Sequence, residues 1–555
     1  MLTTNEVQSI PLLAALPAAE AERVAGLAAD IHLVAGELAV PEGGERALYA
    51  VLEGRIEVVK LVDGVERTLG WRMPGAIFGE VPLTLGTPFP GGYRAAEPSR
   101  VLRLDAQQYY SVIANAPDLA LKVSALARER IGGLQGIAAE APRPRVTIVG
   151  ERWDAACGAM RRFLERNEIT FEWFTPDAPD LASRWPGGPP PAGGCPHLRM
   201  ADGTSLSRPS TREVAVRLGL ATRPALAEYD TAIIGGGPAG LAAAVYGASE
   251  GLRTIVIERE APGGQAGTSS RIENYLGFPS GVSGDELASR ALRQARRLGA
   301  EILVTRSVAG FEPESHELVL DGGDVIRAHT VILATGVSWR RVAIDGIDRL
   351  LGKGISYGAA RSEAPATHGR DVYLIGGGNS AGQAAIYFAN HARHVTLVVR
   401  GDRLEKSMSH YLTEQLRTKP NVSILLGAEV GAVHGEAHLT ALDVVDRATS
   451  AVRHHTCEAL FVFIGAETET TWLPPSIARD ERGYVLTGHD LVKAGRWSHH
   501  RDPYLLESSV PGVFACGDVR LSPVKRVASA VGEGSMAIAF VHQFLQLEAG
   551  PRPAR

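Results

Sequence analysis

The sequence predicts a multidomain protein. An all-β N-terminal unit of jelly-roll type comes first, then a small α/β unit, then two Rossmann-like α/β units. Three observations predict this order. Short alternating strands separated by turn residues fill much of residues 1–140. A strand–helix–strand pattern with a turn-and-helix ending follows in 145–221. Two glycine fingerprints then each follow a short apolar run: Gly235-Gly236-Gly237-Pro238-Ala239-Gly240 and Gly376-Gly377-Gly378-Asn379-Ser380-Ala381.

The 555 residues suffice for about three to four domains. The chain is 45% hydrophobic and 21% charged, with a net charge of −5. This balance gives no basis for nucleic-acid or anionic-membrane binding. No apolar run approaches the ~18 residues of a membrane span. Met1 to Gln8 is polar and acid-bearing, with neither a basic start nor an apolar segment, so a cytoplasmic location is expected. The four cysteines, Cys157, Cys195, Cys457 and Cys516, make neither a disulfide framework nor a metal-ligand spacing, so no metal site is expected.

In the N-terminal unit an opening helical pattern leads into Ala47–Leu52 and Arg55–Val59, strands flanked by Glu42-Gly43-Gly44, Asp63-Gly64 and Pro74-Gly75. A helical stretch runs from Ala106 to about Ala139, and Ala141-Pro142-Arg143-Pro144 reads as a linker. The middle unit has strands at Val146–Val149 and Thr170–Phe174, a helix around Cys157–Arg166, a Pro/Gly-rich loop at Pro186–Gly194 and a helix at Thr211–Leu218. Together they make a βαβ-ββα unit.

Each fingerprint sits where its chemistry needs it. The first glycine (Gly235, Gly376) makes the strand-to-helix turn, and the next ones (Gly237, Gly378) let backbone approach a pyrophosphate. Gly240 and Ala381 let helix and strand pack closely. Pro238-Ala239 and Asn379-Ser380 open helices whose free N–H groups and dipole favour phosphate. After the first fingerprint, the strand Thr254–Ile257 ends in Glu258, placed for an adenosine ribose. After the second, Val395–Val399 ends in Arg400, whose charge suits a 2′-phosphate and favours NADP over NAD.

From Tyr229 to about Leu545 the chain resembles the low-molecular-weight thioredoxin reductases, FAD/NADPH flavoproteins. Pro262-Gly263-Gly264-Gln265 with Glu273-Asn274-Tyr275, Leu333-Ala334-Thr335-Gly336, and Phe514-Ala515-Cys516-Gly517-Asp518 carry the resemblance. It implies that Gln265 and Asn274 face the flavin, that Asp518 holds its ribityl chain, and that a helix opening at Arg526-Val527 aims at its pyrimidine edge. The implied topology is an FAD domain split into 228–340 and 464–548, with an NAD(P) domain inserted at 341–463. It further implies a homodimer, and a rotation of the inserted domain about hinges near 340 and 463.

The sequence departs from that family at two places. Its Cys-x-x-Cys segment matches Ser356-Tyr357-Gly358-Ala359-Ala360-Arg361, so Gly358 and Arg361 stand in place of thiols and cannot relay electrons to a disulfide. The family's paired arginines after the strand are here one, Arg400, with Arg403 nearby. NADPH remains favoured, with NADH open.

The middle unit resembles a degenerate glutaredoxin-like thioredoxin fold. Cys157 then falls on the second motif cysteine, Asp154 on the first, and Pro196 at the cis-proline, preceded by Cys195. Cys157 and Cys195 are therefore a candidate redox pair, the alternative being a decayed domain. Cys457 and Cys516 read as core residues. Residues 1 to about 135 resemble a cyclic-nucleotide-binding domain, on Leu48–Val58 and Pro74–Glu80. The resemblance implies that Glu80 meets the ribose and Arg94 the cyclic phosphate. Thr87–Gly92 lies between them as an insertion, and a ligand-free regulatory role stays open.

These features predict an FAD-dependent NAD(P)H oxidoreductase of the thioredoxin-disulfide reductase type, passing hydride from NADPH to FAD and electrons on to a disulfide or other acceptor. Two alternatives stand beside it. One is a cysteine-free reductase directed to a ferredoxin-like protein, a quinone or oxygen. The other is a flavin redox sensor without turnover. Thioredoxin-like and ferredoxin-like proteins are both candidate partners.

Overall fold

The computed structural model describes residues 2–62, 65–138, 144–179, 181–185, 195–269, 271–279, 281–358, 364–521 and 524–548. The chain divides into two compact units, Met1–Arg145 and Val146–Arg555.

The first unit contains two four-stranded antiparallel sheets. Ala29–Leu33, Ser99–Asp105, Ala47–Glu53 and Ile77–Phe78 form one, and Leu38–Val40, Gly92–Ala95, Ile56–Val62 and Val65–Arg72 the other. Aromatic rings fill part of the core: Tyr49 and Tyr93 both stack on Phe78, at 4.7 and 4.4 Å between centroids. Phe89 closes edge-on against both tyrosines. The segment read as an insertion therefore supplies a buried core residue, Phe89, held by backbone bonds to Gly43 and Gly44. The expected helical stretch after Ala106 is two helices, Ala106–Ile113 and Pro117–Ala138. Proline has no N–H to donate, so Pro117 is suited to start the second helix rather than continue the first. Most of the expected linker and the Asp63-Gly64 turn lie outside the described residues.

In the second unit the strand Phe171–Phe174 pairs parallel with Val146–Val149, on which His197–Met200 and then Ser205–Ser207 add antiparallel. The helix Ala155–Arg166 packs Cys157, Met160, Phe163 and Leu164 onto this sheet. These residues share one continuous apolar core with Ile233 and Phe514 of the next sheet and Leu292 of the helix Gly284–Arg297, so the middle unit has no wholly separate core. That next sheet has seven strands. Glu301–Leu303, Thr254–Ile257, Glu228–Ile234, Val325–Leu333 and Val513–Ala515 run parallel, and Glu317–Leu320 and Val308–Glu312 add antiparallel. A five-stranded parallel sheet carries the second fingerprint, in the order Ile355–Tyr357, Ala459–Val462, Asp371–Ile375, His394–Val399, Val422–Leu426.

The chain crosses between these two sheets twice. The crossings meet where Ser338–Trp339 pairs antiparallel with Ala466–Glu467. No helix among the described residues is long and apolar enough to cross a membrane.

Candidate functional site

A cavity of about 550 Å³ opens at the carboxyl ends of the parallel strands in the seven-stranded sheet. Its position follows from topology, because strand-to-helix turns at that edge leave a crevice lined by backbone N–H groups. Gly235, Gly237, Pro238, Ala239, Glu258, Gly264, Gln265, Thr335, Gly336, Gly517, Asp518, Arg526 and Val527 all line it. The sequence separates these residues by almost 300 positions, and the fold gathers them on one wall.

The glycines are needed for close approach. Gly235 has φ +106°, and a Cβ there would lie 2.4 Å from the Ala334 oxygen. A Cβ on Gly264, at φ +55°, would meet the Gly237 Cα at 2.9 Å. Gly240 is absent from the wall because it works behind it: a Cβ would sit 1.9 Å from the Gly235 oxygen. At the corresponding place in the second fingerprint Ala381 is fully buried, so a methyl group is tolerated there.

Glu258 is held by its neighbours. One carboxylate oxygen accepts from the Gly236 N–H at 2.8 Å and the other from the Glu260 N–H at 2.9 Å. Burial pushes its carboxyl above the usual range, against those two donors. The same cause raises Asp518. Gln265 Nε2 donates to the Val337 oxygen at 2.7 Å, tying two parts of the wall together. The helix Val527–Glu548 brings its first turn to the cavity, and its Glu533 accepts from the Gly517 N–H at 2.7 Å.

The residues present fit a dinucleotide with a polar middle and an apolar ring. The Thr335 hydroxyl is buried in the wall without a hydrogen-bond partner. The glycine turns leave a cradle that side chains would fill. Trp339 and Trp472 supply apolar wall.

Asn274 does not join this wall. Ile272 bridges Val282, so the segment between them forms a loop in which Asn274 is exposed and Leu276 is 95% exposed. Arg166 lines the cavity, although no sequence motif gives it a role. It comes from the middle unit, and no local pattern signals a contact nearly 100 residues away.

At the second fingerprint Gly376 (φ +144°) leaves the strand Asp371–Ile375, and Gly378 precedes the helix Asn379–Phe388. Asn379 Oδ1 accepts from the Ser409 N–H at 2.7 Å, and the Ser407 hydroxyl donates to the Gly377 oxygen at 2.8 Å. Ser380 is exposed in the first turn. Arg400 follows the adjacent strand, exposed, as is Arg403. Among the described residues neither guanidinium is taken up in a hydrogen bond or ion pair.

The thiol segment of the resemblance leads to Gly358 (φ +76°), where a Cβ would lie 3.0 Å from the Trp339 indole. Arg361 lies outside the described residues. Cys157 and Cys195 are both free. The Cys195–Pro196 peptide is cis, as the resemblance implied. A Cβ on Gly150 would meet Cys157 Sγ at 2.7 Å and Pro196 Cα at 3.6 Å, so the fold does bring the two cysteine segments together. It does not activate Cys157, which is fully buried, and burial pushes its thiol up to about 12. Asp154 caps the helix by accepting from the Cys157 N–H at 2.7 Å, adding negative charge where a thiolate would form. Burial likewise raises Cys457, to about 12, and Cys516.

Glu80 and Arg94, which the resemblance assigns to one ligand, are each engaged by another side chain. Tyr93 and Arg94 are successive residues of one strand, so their side chains point to opposite faces. Tyr93 enters the aromatic core, and Arg94 turns to Glu57 at 2.7 Å. Glu80, 1% exposed, is held by Arg130 at 2.9 Å.

One cluster of metal-type ligands was not expected. His434 and His454 each lie 2.8 Å from an oxygen of Asp443 on a three-stranded sheet, so each oxygen of the carboxylate already has an imidazole partner.

Residues 31–116 match the model of the cyclic nucleotide-binding domain, and residues 229–534 that of the pyridine nucleotide-disulphide oxidoreductases. Thioredoxin reductase of Treponema pallidum is 32% identical over 310 residues, 56% of this chain and 95% of that protein. NADH dehydrogenase of Bacillus subtilis is 31% identical over 310 residues, and the matched part spans 56% of this chain but only 57% of that protein. The crystal structure of Lactococcus lactis thioredoxin reductase superposes with a TM-score of 0.51 at 26% identity, covering 57% of this chain and 99% of that one. The chain belongs to the pyridine nucleotide-disulphide oxidoreductase family and is an oxidoreductase that uses a flavin and a pyridine nucleotide.

Proposed function

We propose that the protein is an FAD-dependent NADPH oxidoreductase of the thioredoxin reductase type. Residues 228–340 and 464–548 hold FAD, and residues 341–463 hold the nicotinamide dinucleotide. The observation that carries this reading is the single cavity walled by the first fingerprint, Glu258, Gln265, Thr335 and Asp518. When bound, FAD supplies a centre that accepts hydride from NADPH and is reoxidised by a second acceptor.

The chain's residues do the rest. The Gly235–Gly240 turn and its helix N-terminus take the pyrophosphate. Glu258, fixed by two backbone donors, accepts from ribose hydroxyls. Asp518 meets the ribityl chain, and the first turn of Val527–Glu548 offers N–H groups and a positive dipole end to the ring edge. Arg400 and Arg403, both unengaged, favour a 2′-phosphate.

The test is purification followed by anaerobic stopped-flow mixing. FAD should be bound and bleached faster by NADPH than by NADH. A colourless protein, or a flavin that neither nucleotide reduces, would overturn the reading.

A second reading concerns the acceptor. Gly358 against Trp339 and the inert Cys157 favour electrons leaving the flavin directly, without a dithiol relay. An acceptor screen with thioredoxin plus a disulfide dye, ferredoxin, quinone and oxygen decides between the two routes. Turnover with thioredoxin alone would overturn this second reading. A homodimer and a cyclic-nucleotide ligand for residues 31–116 are further parts of the proposal, tested by light scattering and by calorimetric titration with a cyclic nucleotide.

A further inference from the structure

The middle unit has the outline of a redox module, yet its reactive end is not free. The helix Ala155–Arg166 meets a different nucleotide-binding sheet at each end.

At its start, Ala155 lies against Gly352, which precedes the edge strand of the five-stranded sheet. A Cβ on Gly352 would come within 2.5 Å of the Ala155 Cβ and 3.0 Å of its Cα, so only glycine permits this approach. Trp153, two residues earlier, packs on the apolar core of that same sheet, beside Phe461. Asp154, Gly158 and Arg162 share a small cleft with Gly354 and Ser356, the strand that leads to Gly358.

At its end, Arg166 reaches the loop that follows Glu258. Its guanidinium donates to the carbonyl oxygens of Ala261, Pro262 and Gly264, at 2.5, 3.2 and 3.3 Å. Its Nε is buried without a partner, and the side chain lines the large cavity. Three carbonyls of the loop are thus gathered by a cation from another part of the chain, which also lies 3.7 Å from the Glu260 carboxylate. Further fastening lies close by. Arg212 donates to the Thr305 oxygen at 3.0 Å and pairs with Asp321, and Glu168 lies 3.3 Å from Arg293. The shared apolar core makes the attachment continuous.

We infer that the middle unit is a fixed brace rather than an electron carrier. One twelve-residue helix, with the turn that leads into it, holds the flavin-side loop at Arg166 and the nicotinamide-side sheet at Trp153 and Ala155. Arg166 is a positioning residue for the flavin loop. While the helix bridges both sheets, the rotation about residues 340 and 463 implied by the resemblance is closed to this chain. Hydride transfer must then proceed with the two nucleotide sites in one fixed relation. The inference rests on the reading that the cavity holds FAD.

The experiment is a distance measurement. In the full-length protein, Ser249→Cys on the flavin side and Gln415→Cys on the nicotinamide side, both exposed positions, carry spin labels in a Cys195→Ala background, and pulsed electron resonance reads their separation with and without NADPH. The expected result is one narrow distance that NADPH leaves unchanged. A second population, or a distance that NADPH shifts, would overturn the brace. Gly352→Leu drives a side chain into Ala155 and should broaden the distribution; a distribution as narrow as the parent's would remove the Ala155–Gly352 contact from the brace. Arg166→Met gives a separate arm: the Kd for FAD should rise at least tenfold, and an unchanged Kd removes Arg166 from its role. If the unmodified protein binds no FAD, the proposed function fails, and the label distance still tests the brace by itself.

Discussion

Gly358 rests against the indole of Trp339, with three ring atoms 3.0 Å from where a Cβ would stand. Its φ of +76° is a left-handed conformation that an L side chain adopts at a cost. A thiol at this position is therefore opposed twice, by backbone and by ring. Gly358→Cys should cost about 1–3 kcal/mol of stability. Together with Arg361→Cys it should give no gain in dithionitrobenzoate reduction with thioredoxin. Thermal unfolding and an activity assay check both parts.

Two of the charge pairs in the N-terminal unit should behave differently. Glu80 is buried with Arg130, and one of its oxygens has no hydrogen-bond partner. Arg130→Met leaves a buried carboxylate unpaired and should cost about 3–5 kcal/mol. Glu57, half-buried beside Arg94, also accepts from the Thr68 hydroxyl and so keeps a partner, and Arg94→Met should cost less, about 1–2 kcal/mol. Urea unfolding followed by the fluorescence of Trp71 measures the contrast.

Acid should loosen the N-terminal unit through Asp30. Arg100 grips its carboxylate with two bonds, at 2.8 and 2.9 Å, and lowers it from 3.8 to about 2. The unfolded chain binds that proton more readily, so the stabilisation is full above pH 3.8 and is lost as pH falls toward 2. In Arg100→Met this contribution is absent, and the acid midpoint should move to higher pH. Circular dichroism against pH reads the shift.

Coenzyme choice should rest on the exposed arginines after Val399. A charged hydrogen bond contributes about 1.5–3 kcal/mol. Arg400→Ala should therefore raise the KM for NADPH about tenfold or more while leaving NADH nearly unchanged, and Arg403→Ala should act in the same direction. Steady-state kinetics with both coenzymes settles the comparison.

Thiol chemistry should be silent. Burial holds Cys157 up to about 12, so at neutral pH it is a thiol and not a nucleophile. Anaerobic titration should count the same reactive cysteines with and without NADPH, and Cys195→Ala should leave flavin reduction by NADPH unaltered. An extra titratable thiol after NADPH would show that the pair cycles.

The fingerprints are legible in the sequence because their chemistry is local. Gly235, Gly237 and Gly240 are set by a strand, a turn and a helix within a few residues, and Glu258 and Asp518 follow from short motifs beside strands. The aromatic core is less legible, since Phe89 sits in a proline-rich segment that reads as a surface insertion. The resemblance assigns Glu80 and Arg94 to one ligand, whereas the fold engages Glu80 with Arg130 and strand parity turns Arg94 to Glu57. The motif places Asn274 at the flavin, and the Ile272–Val282 bridge carries it away from the cavity. Arg166 leaves no trace in sequence because the carbonyls to which it donates have no residue identity to read, and Glu260, 3.7 Å away, is remote along the chain.

The paired crossing of Ser338–Trp339 with Ala466–Glu467 has a mechanical consequence. Two separate tethers would let the bodies on either side slide, twist and tilt independently. Once laced by ladder bonds, the tethers act as a single leaf spring, stiff to sliding and to shear, with bending as its soft direction. Trp339 lies on that spring and also forms part of the cavity wall. Any strain that reaches the spring is therefore delivered to the chamber itself, and the indole becomes a built-in gauge whose emission would report it.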